Sequence, residues 1–346
     1  MKTVFSFIIV SVMAYQLGWG QHKELQIAAA LPFRPGNVAV SNDRIFSTVH
    51  PLGNDGVNVQ LIEITGKDSY RPFPDASYQS IKGAPKGKQI DSPLGIRIDA
   101  KNRLWIVDMG QNRGTTRVYA FDINSGKEVY QYEFSQEIAP KGSFIQDLAI
   151  DDVNGFVFLA DIANPGILVL DTNTNTANRI THSSMQPENI DTYINGELVL
   201  FGGAPARVGV NPITLSADKE TLFYGAMSGT TWYAIPSSVL REGKSKDEFA
   251  KALKVVGPKP VSDGVITAKN GEHYMTNSQN YGIDKLTTSG DLLPVIRDKR
   301  LDWPDNVSIS GDFLYISVNQ LHKTTAFTGK PDSGTKPFYI YKLAIK

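Results

Sequence analysis

The chain has 346 residues, with 35 Lys and Arg balanced by 35 Asp and Glu, and no cysteine. The balance leaves no net field to gather nucleic acid or anionic lipid. The missing cysteines remove disulfides, thiol catalysis and thiolate metal sites together, and for an exported chain they suit a bacterial envelope better than an animal extracellular space.

Taken in order, the N-terminus reads as a targeting segment. Lys2 precedes an apolar run from Val4 to Ala14, and Gly18-Trp19-Gly20 supplies small residues before Gln21. This pattern predicts a cleaved signal peptide over residues 1–20 and a single mature domain over 21–346, secreted or periplasmic. The run is too short to cross a bilayer, and no later stretch reaches the roughly 20 apolar residues a span needs, so no membrane span is expected.

The mature chain is built on a repeat. A small, polar or proline residue opens a strand at Pro35, Pro93, Asp147, Asn211, Asp263 and Asp305, and a turn follows. A second strand then centres on Phe46, Trp105, Phe158, Phe223, Tyr274 and Tyr315, always 10 to 12 residues after its opening. The copies start 42 to 64 residues apart, so the inner unit is constant while the loops vary. A two-strand unit cannot bury its own face, and six copies predict an all-β fold, a six-bladed β-propeller. Glu24–Phe33 and Phe338–Ile345 are expected to close the ring together. Val57–Ile62 reads as a strand, Arg71–Lys88 as a proline-rich rim loop, and Thr172–Ala177 as a polar turn. His182–Arg207 is a long connection with its own hairpin at Asn195-Gly196, and long connections often line binding sites. Ser237–Leu253 is the one helical candidate, expected as an exposed insertion of the fourth blade.

In a propeller the innermost strands end at the channel mouth. Asn37, Asp147, Asn211, Asp263, Asp305 and Asn306 therefore converge from different blades, as oxygen ligands suited to Ca²⁺ or another divalent cation. The same residue types also cap turns at strand starts, which is the competing reading. His50 and His322 follow the second strands of the first and last blades, neighbours in a closed ring, as a candidate acid/base or metal pair or as packing residues. Trp105, Trp303, Tyr274 and Tyr315 sit in the repeat and read as blade packing, whereas Trp232 and Tyr281 fall at less regular places and are candidates to line a pocket. Nucleotide, dinucleotide, serine-hydrolase and zinc-protease templates are absent.

A family resemblance rests on several motifs in order: Asn102-Arg-Leu-Trp-Ile-Val-Asp108, Leu222-Phe-Tyr-Gly-Ala-Met-Ser-Gly229, Trp232–Arg241, Ser262-Asp-Gly264, Trp303-Pro-Asp-Asn306 and Val318-Asn-Gln-Leu-His322. Together they resemble the Yellow/major royal jelly protein family in its bacterial branch, although insect members carry cysteines. The resemblance implies a secreted six-bladed propeller whose insect relatives are associated with pigment pathways or with binding small amines; some bacterial relatives are labelled as related to dopachrome tautomerase. The chain is more distantly similar to gluconolactonase and regucalcin-like (SMP-30) propellers. That similarity implies a cation at the channel top, with Asn211 and Asp263 as ligands. The first-blade Glu of that group has no counterpart near Pro35-Gly36-Asn37.

Two functions remain open at this level. One is a small-molecule binder, a monomer, with Asp147, Asn211, Asp263, Asp305, Asn306, Trp232 and Tyr281 around its ligand. The other is a metal-dependent lactone hydrolase in which Asn211 and Asp263 hold the metal and Asp263 moves the proton.

Overall fold

A computed structural model describes residues 24–80 and 85–346. The proposed signal peptide lies outside the described residues. Six four-stranded antiparallel sheets form the blades of a propeller. Their innermost strands are Pro35–Ser41, Pro93–Ile98, Ile145–Asp151, Val210–Leu215, Val265–Thr267 and Pro304–Ser310, in blades one to six.

The blade repeat works because each core is shared with a neighbour. Phe46 of blade one packs with Ile96, Ile106 and Phe121 of blade two, and Trp105 of blade two packs with Leu148 and Leu159 of blade three. Phe158 meets Ile213 and Tyr224 between blades three and four. Trp232 meets Val265 and Met275 between four and five, and Tyr274 meets Val307 and Ile316 between five and six. Tyr315 and Ile340 close onto Val38 and Ile62 of blade one. Each fully buried side chain of this size contributes about 1.5–3 kcal/mol, so no blade is stable by itself and the ring is stable as a whole.

Closure uses both ends of the chain, as the sequence implies. Leu25–Leu31 is the outer strand of blade six and pairs antiparallel with Phe338–Ala344, Leu25 opposite Leu343 and Leu31 opposite Phe338. A second regularity was not visible in the sequence. In five blades the ladder between the first and second strands slips at the opening, between Pro35 and Val38, Pro93 and Ile96, Ile145 and Asp147, Val210 and Ile213, and Pro304 and Asn306. A bulge frees one residue from the ladder and re-aims its side chain. In blade five the hydroxyl of Thr276 does equivalent work, accepting the N–H groups of Asp263 and Gly264 at 2.9 and 3.0 Å.

Four local expectations change. The helical candidate is two helices, α1 (Ser237–Arg241) and α2 (Lys246–Ala252), parted at Gly243 with φ +61° and restarted by a Ser245/Glu248 capping box. It is not a purely exposed insertion, because Leu240 and Phe249 are buried against blades three and four. Thr176–Ile180 is the outer strand of blade three, not the tail of a turn. The third strand of blade one begins at Leu61, not Val57. The long connection contains the expected hairpin, Tyr193–Ile194 with Glu197–Leu198, and a second one, Leu200–Phe201 with Ala204–Pro205.

Candidate functional site

The re-aimed openings meet around one carboxylate. Asp263 is 2 % exposed, and its Oδ1 accepts the side-chain amide of Asn211 at 2.9 Å and that of Gln146. Its Oδ2 accepts the indole N–H of Trp303 at 2.8 Å. Asn211 also donates to the Asp263 backbone carbonyl at 2.6 Å. Blades three, four and six thus converge on blade five, and the oxygens of Asp263 are held by side chains from other blades, not by turn N–H groups.

A second buried carboxylate stands beside this knot. Asp305 Oδ2 accepts from Asn319 at 2.5 Å and lies 3.9 Å from Nε2 of His50. The Nδ1 of His50 accepts the Leu52 N–H at 3.0 Å, which puts the ring proton on Nε2, facing Asp305. Asp147 points deeper into the channel, where Arg97 grips it at 2.7 Å while also reaching Asn306 Oδ1 at 3.2 Å and the Val265 carbonyl at 3.1 Å.

Three acids in so small a volume oppose one another's ionisation. Asp263 is raised well above the ordinary carboxylate value by burial first, then by the charges of Asp305 and Asp147, against the opposing bonds from Trp303 and Asn211. Burial pushes Asp305 up to about 7 and Asp147 to about 6, the latter restrained by Arg97. The nearby buried ammonium of Lys259 does not reach them; it donates to the carbonyls of Gly229 and Pro260 at 2.7 and 2.8 Å.

Above Asp263 lies a cavity of about 180 Å³. Its polar residues are His50, Gln146 and Asp263, with Arg207; its walls are Leu52, Phe144, Ile162, Phe201, Val208, Met227, Trp303, Leu321 and Phe327. The two hairpins of the long connection and the short helix Thr325–Thr328 form an apolar cap over this mouth. Phe327 meets both Phe201 and Trp303 edge-on, at 5.1 and 5.3 Å between ring centres.

The sequence candidates divide accordingly. Asn211 and Asp263 touch, as their equivalent repeat positions imply, and the charge of Asp305 acts on Asp263 from blade six. Asp147 and Asn306 are in the same channel but serve Arg97. Trp232 is not at the mouth: it is fully buried between blades four and five with Val265, Met275 and Leu286. Tyr281 packs against the cap cluster but is not among the cavity's lining residues. The two histidines face different carboxylates, His50 toward Asp305 and His322 toward Asp302 at 3.5 Å, while His322 stacks on Trp303. Trp303 is more than blade packing, since it is the hydrogen-bond donor to Asp263. Gln146, Arg97, Phe201 and Phe327 went unread. The bulge that frees Gln146 leaves no mark in composition, and the cap aromatics lie outside the repeat.

The residues fit a cation at this place in one specific respect. Buried acceptor oxygens Asn37 Oδ1, Asn211 Oδ1, Asp305 Oδ1 and Asn319 Oδ1 have no hydrogen-bond partner. Among the described residues no group of three or more His, Asp or Glu has metal-holding geometry, so such an ion would depend on amide oxygens.

Fold and site define a six-bladed β-propeller with a buried acid cluster at one channel mouth. The family profile described as "Major royal jelly protein" matches residues 91–344. The chain belongs to that family. It is 26 % identical to major royal jelly protein 7 of Apis mellifera over 259 residues, covering 68 % of this chain and 56 % of that one. To the protein yellow of Drosophila melanogaster it is 24 % identical over 267 residues, covering 68 % and 48 %. The chain therefore spans about half the length of these curated relatives. Among solved structures, a gluconolactonase from Xanthomonas campestris superposes with a TM-score of 0.56 at 14 % identity, covering 93 % of this chain and 89 % of that one. Virginiamycin B lyase from Staphylococcus aureus gives 0.55 at 14 %, covering 94 % and 100 %. At such identities the likeness is one of fold alone.

Proposed function

We propose that the protein binds a small aromatic amine at the channel mouth. The observation that carries this reading is the buried carboxylate of Asp263 at an aromatic-walled cavity, with a second buried carboxylate, Asp305, beside it. Both are served by neutral N–H donors and not by lysine or arginine, so an ammonium would relieve their mutual repulsion while its ring replaces water on Phe201, Phe327 and Trp303. The volume of about 180 Å³ suits a single ring with a short side chain. Export, argued from the apolar run Val4–Ala14, belongs to the same reading. Because Trp303 lines the cavity, quenching of tryptophan emission by phenethylamine is a direct test: saturable quenching that Asp263→Asn weakens at least about thirtyfold supports the reading, and no saturable quenching in the native protein refutes it.

The four unpartnered oxygens favour a second reading, a metal-dependent lactone hydrolase. Asn37, Asn211, Asp263, Asp305 and Asn319 would hold the divalent cation, whose chemistry is to polarise a lactone carbonyl. Asp263 is the residue placed to take up a proton. Stoichiometric metal in protein purified without chelator, lost in Asp263→Ala together with lactone hydrolysis, would favour this reading over the first.

A further inference from the structure

We propose a second ligand site at the opposite end of the channel, one that takes a small organic acid with an apolar body, an aliphatic or aromatic monocarboxylate. The inner strands of blades one and six close directly on each other, with Val38 N–H reaching Asn306 Oδ1 at 3.4 Å and Val40 N–H reaching Ser308 Oγ at 3.2 Å. The channel's free space at this end consequently lies on the side of blades two to five, where it forms a cavity of about 530 Å³. Arg97 closes it off from the Asp147 side of the channel.

The lining has the two halves such a ligand needs. Ile98, Ile150, Leu215 and Ile266 supply apolar wall, and Lys219 and Lys269 supply positive charge. The one acid among the described lining residues, Asp99, is turned away from a ligand. Its Oδ1 accepts the N–H groups of Lys101 and Arg103, and its Oδ2 accepts Arg103 Nε at 2.7 Å and Trp105 Nε1 at 2.8 Å. The lysines are not spent in the same way. Lys219 Nζ makes only a long ion pair with Asp152, at 3.8 Å and beyond hydrogen-bond reach, and Lys269 has no ion pair among the described residues. Lysine ammonium groups beside an apolar wall in a partly enclosed space attract a carboxylate more strongly than they would on an open surface.

Backbone geometry singles out Lys219 independently. The inner hairpins of blades two, three, five and six each turn through a residue of positive φ, and these are Asn102, Gly155, Gly271 and Gly311, the types that tolerate it. Blade four puts Lys219 there, at φ +66°. A lysine held in a conformation that glycine adopts more easily points to a use for its side chain.

The test uses the whole protein and the fluorescent anion 8-anilinonaphthalene-1-sulfonate, displaced by octanoate. The expected result is saturable one-to-one binding that weakens with salt and falls at least about tenfold in Lys219→Gly/Lys269→Ala. The Lys219→Gly change relieves the backbone, so the single variant keeps a thermal midpoint at least as high as the native one and leaves phenethylamine binding at the far mouth unchanged. Native-strength dye binding in the double variant, dye binding lost instead in Phe201→Ala, or no saturable binding at all, would overturn the proposal.

Discussion

The indole N–H of Trp303, the residue before the blade-six strand, donates to Oδ2 of Asp263, at the opening of blade five, at 2.8 Å. One bond thus ties the cap to the acid cluster, because the same indole packs on Phe327 and His322. It also lowers the proton affinity of a carboxyl that burial and neighbouring charges raise. Trp303→Phe keeps an aromatic ring but leaves a buried oxygen without its donor, a loss of about 1–3 kcal/mol. Urea denaturation should show that loss, and the Asp263 carboxyl resonance should titrate at higher pH in the variant than in the native protein.

The acid cluster makes stability and binding run in opposite directions with pH. A carboxyl whose value is raised on folding contributes stability that is complete below its unfolded value and is lost as pH climbs through the folded one. For Asp305 that window runs from 3.8 to about 7. The ligand-free protein should therefore lose stability across it relative to Asp305→Asn, the control that cancels the contributions of the other titrating groups. An ammonium ligand stays charged throughout, so its affinity should rise over the same window as the cluster gives up protons. Calorimetry in two buffers of different ionisation enthalpy checks this through the protons released on binding.

The cap offers a substitution that separates binding from folding. Phe201 lines the cavity yet is 48 % exposed, so Phe201→Ala should change stability by less than about 0.5 kcal/mol. It should nevertheless weaken amine binding by about fivefold to tenfold, the worth of one aromatic contact. Paired measurement of thermal midpoint and quenching decides it.

Ring closure carries a larger energetic consequence. Leu25, Leu31 and Phe33 are each no more than 3 % exposed; the first two belong to the strand that completes blade six, and Phe33 follows it. Deleting residues 24–33 should cost at least about 5 kcal/mol and leave the outer edge of Phe338–Ala344 unpaired, a template for aggregation. Size-exclusion chromatography and thermal unfolding of the truncated chain test this together.

What the sequence disclosed follows from what is periodic in it. The blade openings and the bulky second-strand residues recur at nearly constant offset, so the six-fold ring and the Asn211–Asp263 contact were legible. Trp303 was misjudged because its neighbours in the repeat are packing residues and its left-handed backbone, φ +62°, has no sequence signature. Gln146 owes its place to a bulge, and Phe201 and Phe327 owe theirs to an irregular cap, so neither periodicity nor composition points to them. Trp232 shows the reverse case: its less regular position suggested a pocket, but it fills an interblade core.

The central claim is that the Asp263 carboxylate binds a cationic aromatic ligand in the mouth cavity. Isothermal titration of phenethylamine into native protein and Asp263→Asn, each with and without chelator, tests it most directly. The account predicts micromolar one-to-one binding that survives chelation and falls at least about thirtyfold in the variant, the cost of removing one partner of a buried charge pair. Equal affinity in native protein and variant, or no binding to either, would contradict it.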